Sequence, residues 1–132
     1  MKVFVLDSSA LMAFFEARAG ADKVEDLLTR AAEAKRPLLM SAVNWGEVFY
    51  SIWRARGEAA AREKLGQIAQ LPIEIVEVDA DLALAAATLK AQHNLPYADC
   101  FAAALTQTRK AALLTTDKDF ECIATGLKIV WV

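Results

Sequence analysis

The sequence has little of what several common protein classes require. Its 132 residues hold only two cysteines, Cys100 and Cys122, without CxxC spacing, and one histidine, His93. That excludes a disulfide framework and a Cys/His zinc cage, and it suits reduced thiols in the cytoplasm. No apolar run approaches the roughly 18 to 20 residues a spanning helix needs. The apolar start of the chain is cut by Asp7, Ser8 and Ser9, so neither a membrane span nor a cleaved leader is expected. Positive charge is not in excess either: fifteen Lys and Arg against seventeen Asp and Glu give a formal charge of -2. The chain therefore lacks the global basic field of many nucleic-acid binders. That objection weakens if the acids gather around divalent cations, because the remaining surface is then net basic.

What is present is ample apolar material, 56% of residues, with 24% charged, which excludes disorder. The length sits near the mode for one domain, so a single domain spanning 1–132 is expected. Lys2 to Leu6 reads as a strand ending at Asp7, followed by a helix through Ala17 capped by Ser8 or Ser9. Gly20 breaks that helix. Val24, Leu27, Leu28 and Ala31 then mark a second one that stops before Pro37. A strand at Leu38–Met40 precedes a helix capped by Ser41 and closed by Gly57, and another helix covers Glu58–Gln70. Ile73–Val78 is a strand, and Asp79 or Asp81 caps a helix reaching Gln92. Tyr97–Lys110 is small or apolar around most of its circumference and reads as a buried helix. A strand at Leu113–Thr115, a short helix at Lys118–Ala124 and a strand at Lys128–Val132 complete an alternating order. That order predicts an α/β fold in three layers, α/β/α, around a mostly parallel sheet of about five strands.

In such sheets the reactive crevice lies beyond the carboxyl ends of the strands. Asp7 ends the first strand, Asp117 follows the strand at Leu113–Thr115, and Asp99 lies in the first turn of the buried helix. Singly, each reads as a helix cap. On the helix after Ser41, Asn44, Glu47 and Ser51 share a polar stripe, apart from an apolar stripe of Trp45, Phe49, Ile52 and Trp53. Three or four carboxylates drawn together repel one another unless a multivalent cation binds among them. Oxygen donors without His or Cys select Mg²⁺ or Mn²⁺ over Zn²⁺. Asp7, Glu47, Asp99 and Asp117 are thus the candidate metal-binding and catalytic set.

The stretches VFVLDSSALMAFF, SAVNWGEVFYSIWR and LPYADCFAAALTQTRKAALLTTDKDF resemble the successive motifs of PIN-domain ribonucleases, in particular the compact VapC-type toxins of toxin–antitoxin pairs. Each motif alone is common; their order and spacing along the chain carry the resemblance. It implies a metal-dependent endoribonuclease that hydrolyses RNA to 5′-phosphate and 3′-hydroxyl ends, with Mg²⁺ as cofactor and Mn²⁺ as substitute. It also implies a cognate antitoxin and a homodimer, or else a related role in RNA maturation. Asp7, Asp99 and Asp117 correspond to the metal-holding acids, and Glu47 to metal binding or water orientation. Ser8 and Thr115 are candidates to hold those acids, and Asp119 is an auxiliary acid. Lys118, Arg54, Arg109 and Lys110 are candidate phosphate contacts, against a plain reading as solvated side chains.

Other readings fit less of the sequence. A haloacid dehalogenase-like phosphatase wants a second aspartate two residues after the first, where Ser9 stands, and a receiver domain wants an acidic pair that SSAL does not supply. Cys100 in an alanine-rich helix reads as a small buried hydrophobe rather than a nucleophile served by His93. A non-enzymatic interaction domain would rest on Trp45, Phe49 and Trp53, a stripe that either faces the core or, where exposed, suits a second copy or an antitoxin helix.

Overall fold

Strands of three or four residues are too short to stand on their own ladders, so the fold depends on burying both faces of each. The computed structural model describes residues 2–132. Its elements are β1 (Phe4–Leu6), α1 (Ser8–Phe15), α2 (Ala21–Ala34), β2 (Leu38–Ser41), α3 (Ala42–Arg56), α4 (Glu58–Gln70), β3 (Ile73–Val76), α5 (Ala80–Gln92), α6 (Tyr97–Thr108), β4 (Ala112–Thr115), a 3₁₀ segment (Lys118–Gly126) and β5 (Ile129–Trp131). The strand order is β3-β2-β1-β4-β5 and every pairing is parallel, with Val5 opposite both Leu39 and Leu113. The expected three-layer α/β/α arrangement is what the chain forms.

The two-residue alternation of a strand explains the layering. Val5, Leu39 and Leu113 face one side, where they meet Leu89 of α5, Phe101 and Leu105 of α6, and Phe120. Leu6, Met40 and Leu114 face the other, against Leu11, Val24, Val48 and Ile68 from α1 to α4. Each such side chain contributes about 1.5–3 kcal/mol by leaving water. Helix α6 is buried at every position from Asp99 to Thr106. Its alanines let it lie close to α5, α3 and the three central strands at once.

The ends of the elements differ from the sequence reading for local reasons. Asp7, not Ser8 or Ser9, caps α1: its side chain accepts the Ala10 N–H, and both serines lie inside the helix. Helix α1 stops at Phe15 rather than Ala17, where the backbone turns to a φ of 51°. Strand β3 ends at Val76 and α6 at Thr108, with Lys110 at a φ of 52° reversing the chain into β4. The first and last strands of the chain are shorter than expected, and the segment after Asp117 winds as 3₁₀ through Gly126. Ser41 and Asp79 cap α3 and α5 as read.

On α3 the core-facing residues are Asn44, Val48 and Ile52. Trp45 and Phe49 lie half-buried at the edge of the same core, whereas Trp53 is exposed and meets Phe49 edge-on. The aromatic stripe thus divides between core margin and surface.

Gly20 is required twice over. Its φ is 97°, and a Cβ there would stand 2.6 Å from the carbonyl carbon of Val132. Gly20→Ala is expected to lose about 1–3 kcal/mol of stability through left-handed strain and the displaced carboxyl-terminal residue. Urea unfolding measures this, and an unchanged midpoint would contradict it.

Candidate metal centre

Parallel pairing of β1 with β4 sends their carboxyl ends to one rim, beside the point where the strand order reverses. Asp7 leaves β1 there, and its N–H still donates to the Leu114 carbonyl of β4. Its carboxylate is buried and held on both oxygens: Oδ1 accepts from Ser9 Oγ at 2.8 Å and the Ala10 N–H at 2.9 Å, and Oδ2 from Thr115 Oγ1 at 2.6 Å. Burial nonetheless dominates and pushes Asp7 up to about 6 against these hydrogen bonds, with Asp117 adding to the rise.

The same two hydroxyls fix the chain after β4. Having spent their protons on Asp7, Thr115 Oγ1 accepts the Asp117 N–H at 2.9 Å and Ser9 Oγ accepts the Thr116 N–H at 3.0 Å. Asp117 then accepts the Asp119 N–H on Oδ1 at 2.9 Å and so caps the 3₁₀ segment. One carboxylate at the end of β1 thereby positions two more at the end of β4.

Asp99 comes from the other direction, in the first turn of α6, where the positive end of the helix dipole favours a carboxylate. Burial outweighs that. It pushes Asp99 up to about 8, helped by the charges of Asp117, Asp7 and Glu47 and by a hydrogen bond shared with Asp117. Its Oδ2 is buried without a hydrogen-bond partner among the described residues. Asp99, Asp117 and Asp119 each offer a carboxylate oxygen within 4.8 Å of the others.

Glu47 is set by its own helix. Ser41 caps α3 and donates from Oγ to Asn44 Oδ1 at 2.7 Å. Fully buried Asn44 spends its two Nδ2 protons on Glu47 Oε1 at 3.0 Å and on the Ala98 carbonyl at 3.1 Å, tying α3 to the residue before Asp99. Ser8 Oγ also donates to Glu47 Oε1, at 2.9 Å. These bonds hold Oε1 of Glu47, whose charge acts on Asp99.

Four acids expected to converge do so around Asp99, though the tightest oxygens belong to Asp99, Asp117 and Asp119; Asp7 and Glu47 flank that group as charges. A buried carboxylate oxygen left unpaired among like charges fits a hard divalent cation, and an all-oxygen donor set fits Mg²⁺ or Mn²⁺. Ser8 and Thr115 hold acids as read. Ser9, Ser41 and Asn44 were not singled out as holders of the acids, although the spacing of Asn44, three residues after a cap and three before Glu47, is a usable signal.

The basic candidates separate. Lys118 is exposed directly after Asp117. Arg54 is exposed two helical turns beyond Glu47, with its guanidinium over the Tyr50 ring at 5.1 Å. Arg109 and Lys110 precede β4 and line cavities with Lys2 and Val3, so they stand at the opposite, amino-terminal edge of the sheet. The length of β4 separates both from the acids, so the expected contact with a phosphate held there does not form.

The family model that matches this chain is the PIN domain, over residues 4–125. Among solved structures, VapBC2 from Rickettsia felis bound to a promoter DNA fragment superposes with a TM-score of 0.76 at 16% identity, covering 98% of each chain. A toxin–antitoxin complex from Klebsiella pneumoniae gives 0.65 at 24% identity, covering 98% of this chain and 96% of that one. The sarcin–ricin loop cleaving toxin VapC20 of Mycobacterium tuberculosis gives 0.63 at 18% identity, with 94% and 95% covered. A comparison with curated protein sequences gives no match.

Two measurements test the site itself. In the unfolded chain both aspartates titrate near 3.8, so between that pH and about 8 the folded state binds more protons. Stability of the metal-free protein should therefore fall as pH rises through this window and level off above it. Asp99→Asn should flatten most of that fall and raise the melting temperature at about pH 8.5; a steeper fall in the mutant would contradict the repulsion. Asn44→Ala strands the partners of three hydrogen bonds and should cost about 1–3 kcal/mol in denaturant unfolding. A loss near zero would mean that Asn44 ties nothing together.

Proposed function

Because the chain belongs to the PIN-domain family, we propose that it is a Mg²⁺- or Mn²⁺-dependent endoribonuclease that serves as the toxin of a toxin–antitoxin pair. The observation that carries this reading is the buried, unpartnered Oδ2 of Asp99 amid four further acids. Asp99, Asp117 and Asp119 would hold the cation, with Asp7 and Glu47 supplying further negative charge at its margin. When bound, such a cation would polarise phosphoryl oxygens and lower the pKa of water, the chemistry that hydrolysis of a phosphodiester to a phosphate and a free hydroxyl needs.

The chain's own residues supply position. Asp7, fixed by Thr115, Ser9 and Ala10, sets the loop that carries Asp117 and Asp119. Ser8 and Asn44 both bind Glu47 Oε1, and a carboxylate held by one oxygen is suited to orient the attacking water with the other. Lys118 lies where it can meet a substrate phosphate, and Arg54 further along α3 can meet a second. RNA as the substrate class draws support from the toxin named for cleaving the sarcin–ricin loop, and an antitoxin partner from the VapBC complexes that share the fold. Exposed Tyr50 and Trp53 on α3 supply an apolar face for a second copy or for that antitoxin.

Incubating purified protein with total RNA and Mg²⁺, then mapping the new 5′ ends, tests the proposal. Asp99→Asn or Asp117→Asn is expected to lower cleavage about a thousandfold, and a chelator to abolish it. Expression of the parent should arrest growth and that of Asp99→Asn should not. Equal cleavage by parent and Asp117→Asn would overturn the nuclease reading. Cleavage at one processing site without growth arrest would overturn the toxin role alone.

A further inference from the structure

The edge of the sheet opposite the acids carries a feature that the nuclease reading does not use. Between the carboxyl-terminal half of α2 and the starts of β1 and β2 lies a cavity of about 470 Å³. Phe4, Leu27 and Leu38 contribute to its apolar floor. Arg30, Lys35, Arg36, Lys2 and Arg109 ring it, and Glu74 is the acid among its lining residues. Arg30 is partly answered by Asp26 at 3.1 Å, in a pair exposed on both sides and so weak.

The recess does not end there. A second cavity of about 410 Å³ shares Lys2 and Val3 with the first and adds Lys110 and Lys128. Seven of the chain's fifteen Lys and Arg thus line two adjoining cavities that share Lys2 and Val3, a depression with one acid among its lining residues. Lys2 and Lys128 crowd closely enough that the Lys2 ammonium holds Lys128 below the usual lysine range.

We propose that this depression docks an extended acidic peptide segment of a partner protein, its aliphatic side chains in the floor beside Phe4 and Leu27 and its carboxylates on the Lys and Arg rim. Charge complementarity fixes the sign of the occupant, and the apolar floor asks for more than a bare anion. The spread of the basic rim over two adjoining cavities favours a chain over a compact ligand. Aliphatic side chains and a half-buried Phe4 offer no exposed ring on which bases stack, which favours peptide over single-stranded nucleic acid. The site lies away from the acid cluster, so the inference stands apart from the nuclease reading, and an occupied depression leaves the acids open.

A fluorescent peptide alternating Glu and Leu, titrated with the full chain at about 50 and about 500 mM salt, tests this by polarisation. Three probes accompany it: the same peptide with Lys for Glu, an all-Glu peptide, and oligouridylate of equal charge, the last with chelator present. The Glu/Leu peptide is expected to bind tightest, to weaken with salt, and to lose more than about tenfold in affinity in the Arg36→Glu/Arg109→Glu double variant. Lys35→Glu/Arg36→Glu provides a second reversal at exposed positions, and melting curves confirm that each variant is folded. Equal binding of the all-Glu peptide would reduce the depression to a counter-ion surface and overturn the docking proposal. Tighter binding of oligouridylate would assign the edge to nucleic acid instead. Affinity unchanged by both reversals would overturn it as well.

Discussion

Asp7 sits at the centre of the sheet's carboxyl edge with its carboxylate almost wholly withdrawn from water, and the neighbouring structure is organised around that cost. Removing an ion from water is expensive unless its oxygens are answered. Here the answers come from three sources close in space: the first turn of its own helix, Ser9, and Thr115 from the adjoining strand. Because Thr115 and Ser9 in turn receive the N–H groups of Asp117 and Thr116, the hydrogen bonds that quiet one acid deliver the next. The parallel pairing of β1 with β4 makes this reach short.

The remaining acids are not quieted. Asp99 meets three like charges and keeps a buried oxygen without a partner among the described residues, an arrangement that lowers stability whenever it is ionised. A core of this size has favourable apolar burial to offset such a cost, since both faces of every central strand are covered. The helix that carries Asp99 is buried along eight successive positions, so its first turn is held in place against repulsion that would displace a looser segment. Rigidity of α6 and tension at its first turn are therefore two consequences of the same packing.

Much of this was legible in the residues. A β-rich run ending in an aspartate, an acid after a second such run and an acid opening an apolar helix give one rim to three carboxylates, once parallel strands are inferred from the β/α alternation. The interactions between segments were less legible. Nothing local reveals that Ser9 would serve Asp7 and Thr116 together, or that Asn44 would be buried and reach the carbonyl of Ala98, 54 positions away. The cap that an aspartate after a strand suggests is what Asp7 forms, accepting the Ala10 N–H. Arg109 and Lys110 fall inside the last quoted stretch, a few positions before Asp117, yet the whole length of β4 separates them from it.

That separation also makes the net charge a poor description of either edge. A sum of -2 describes an average, whereas the chain is polarised along its strands, with acids at their carboxyl ends and seven Lys and Arg at their amino ends. Strands of three or four residues place the two edges only about 10–13 Å apart at ~3.3 Å per residue. This is comparable to the screening length in physiological salt, about 8 Å, so each edge presents its own sign to an approaching partner while the whole stays near neutral. Cation binding at the acids would tilt the balance further, since one divalent ion offsets the formal charge of -2 and leaves the amino-terminal edge with its positive charge undiminished.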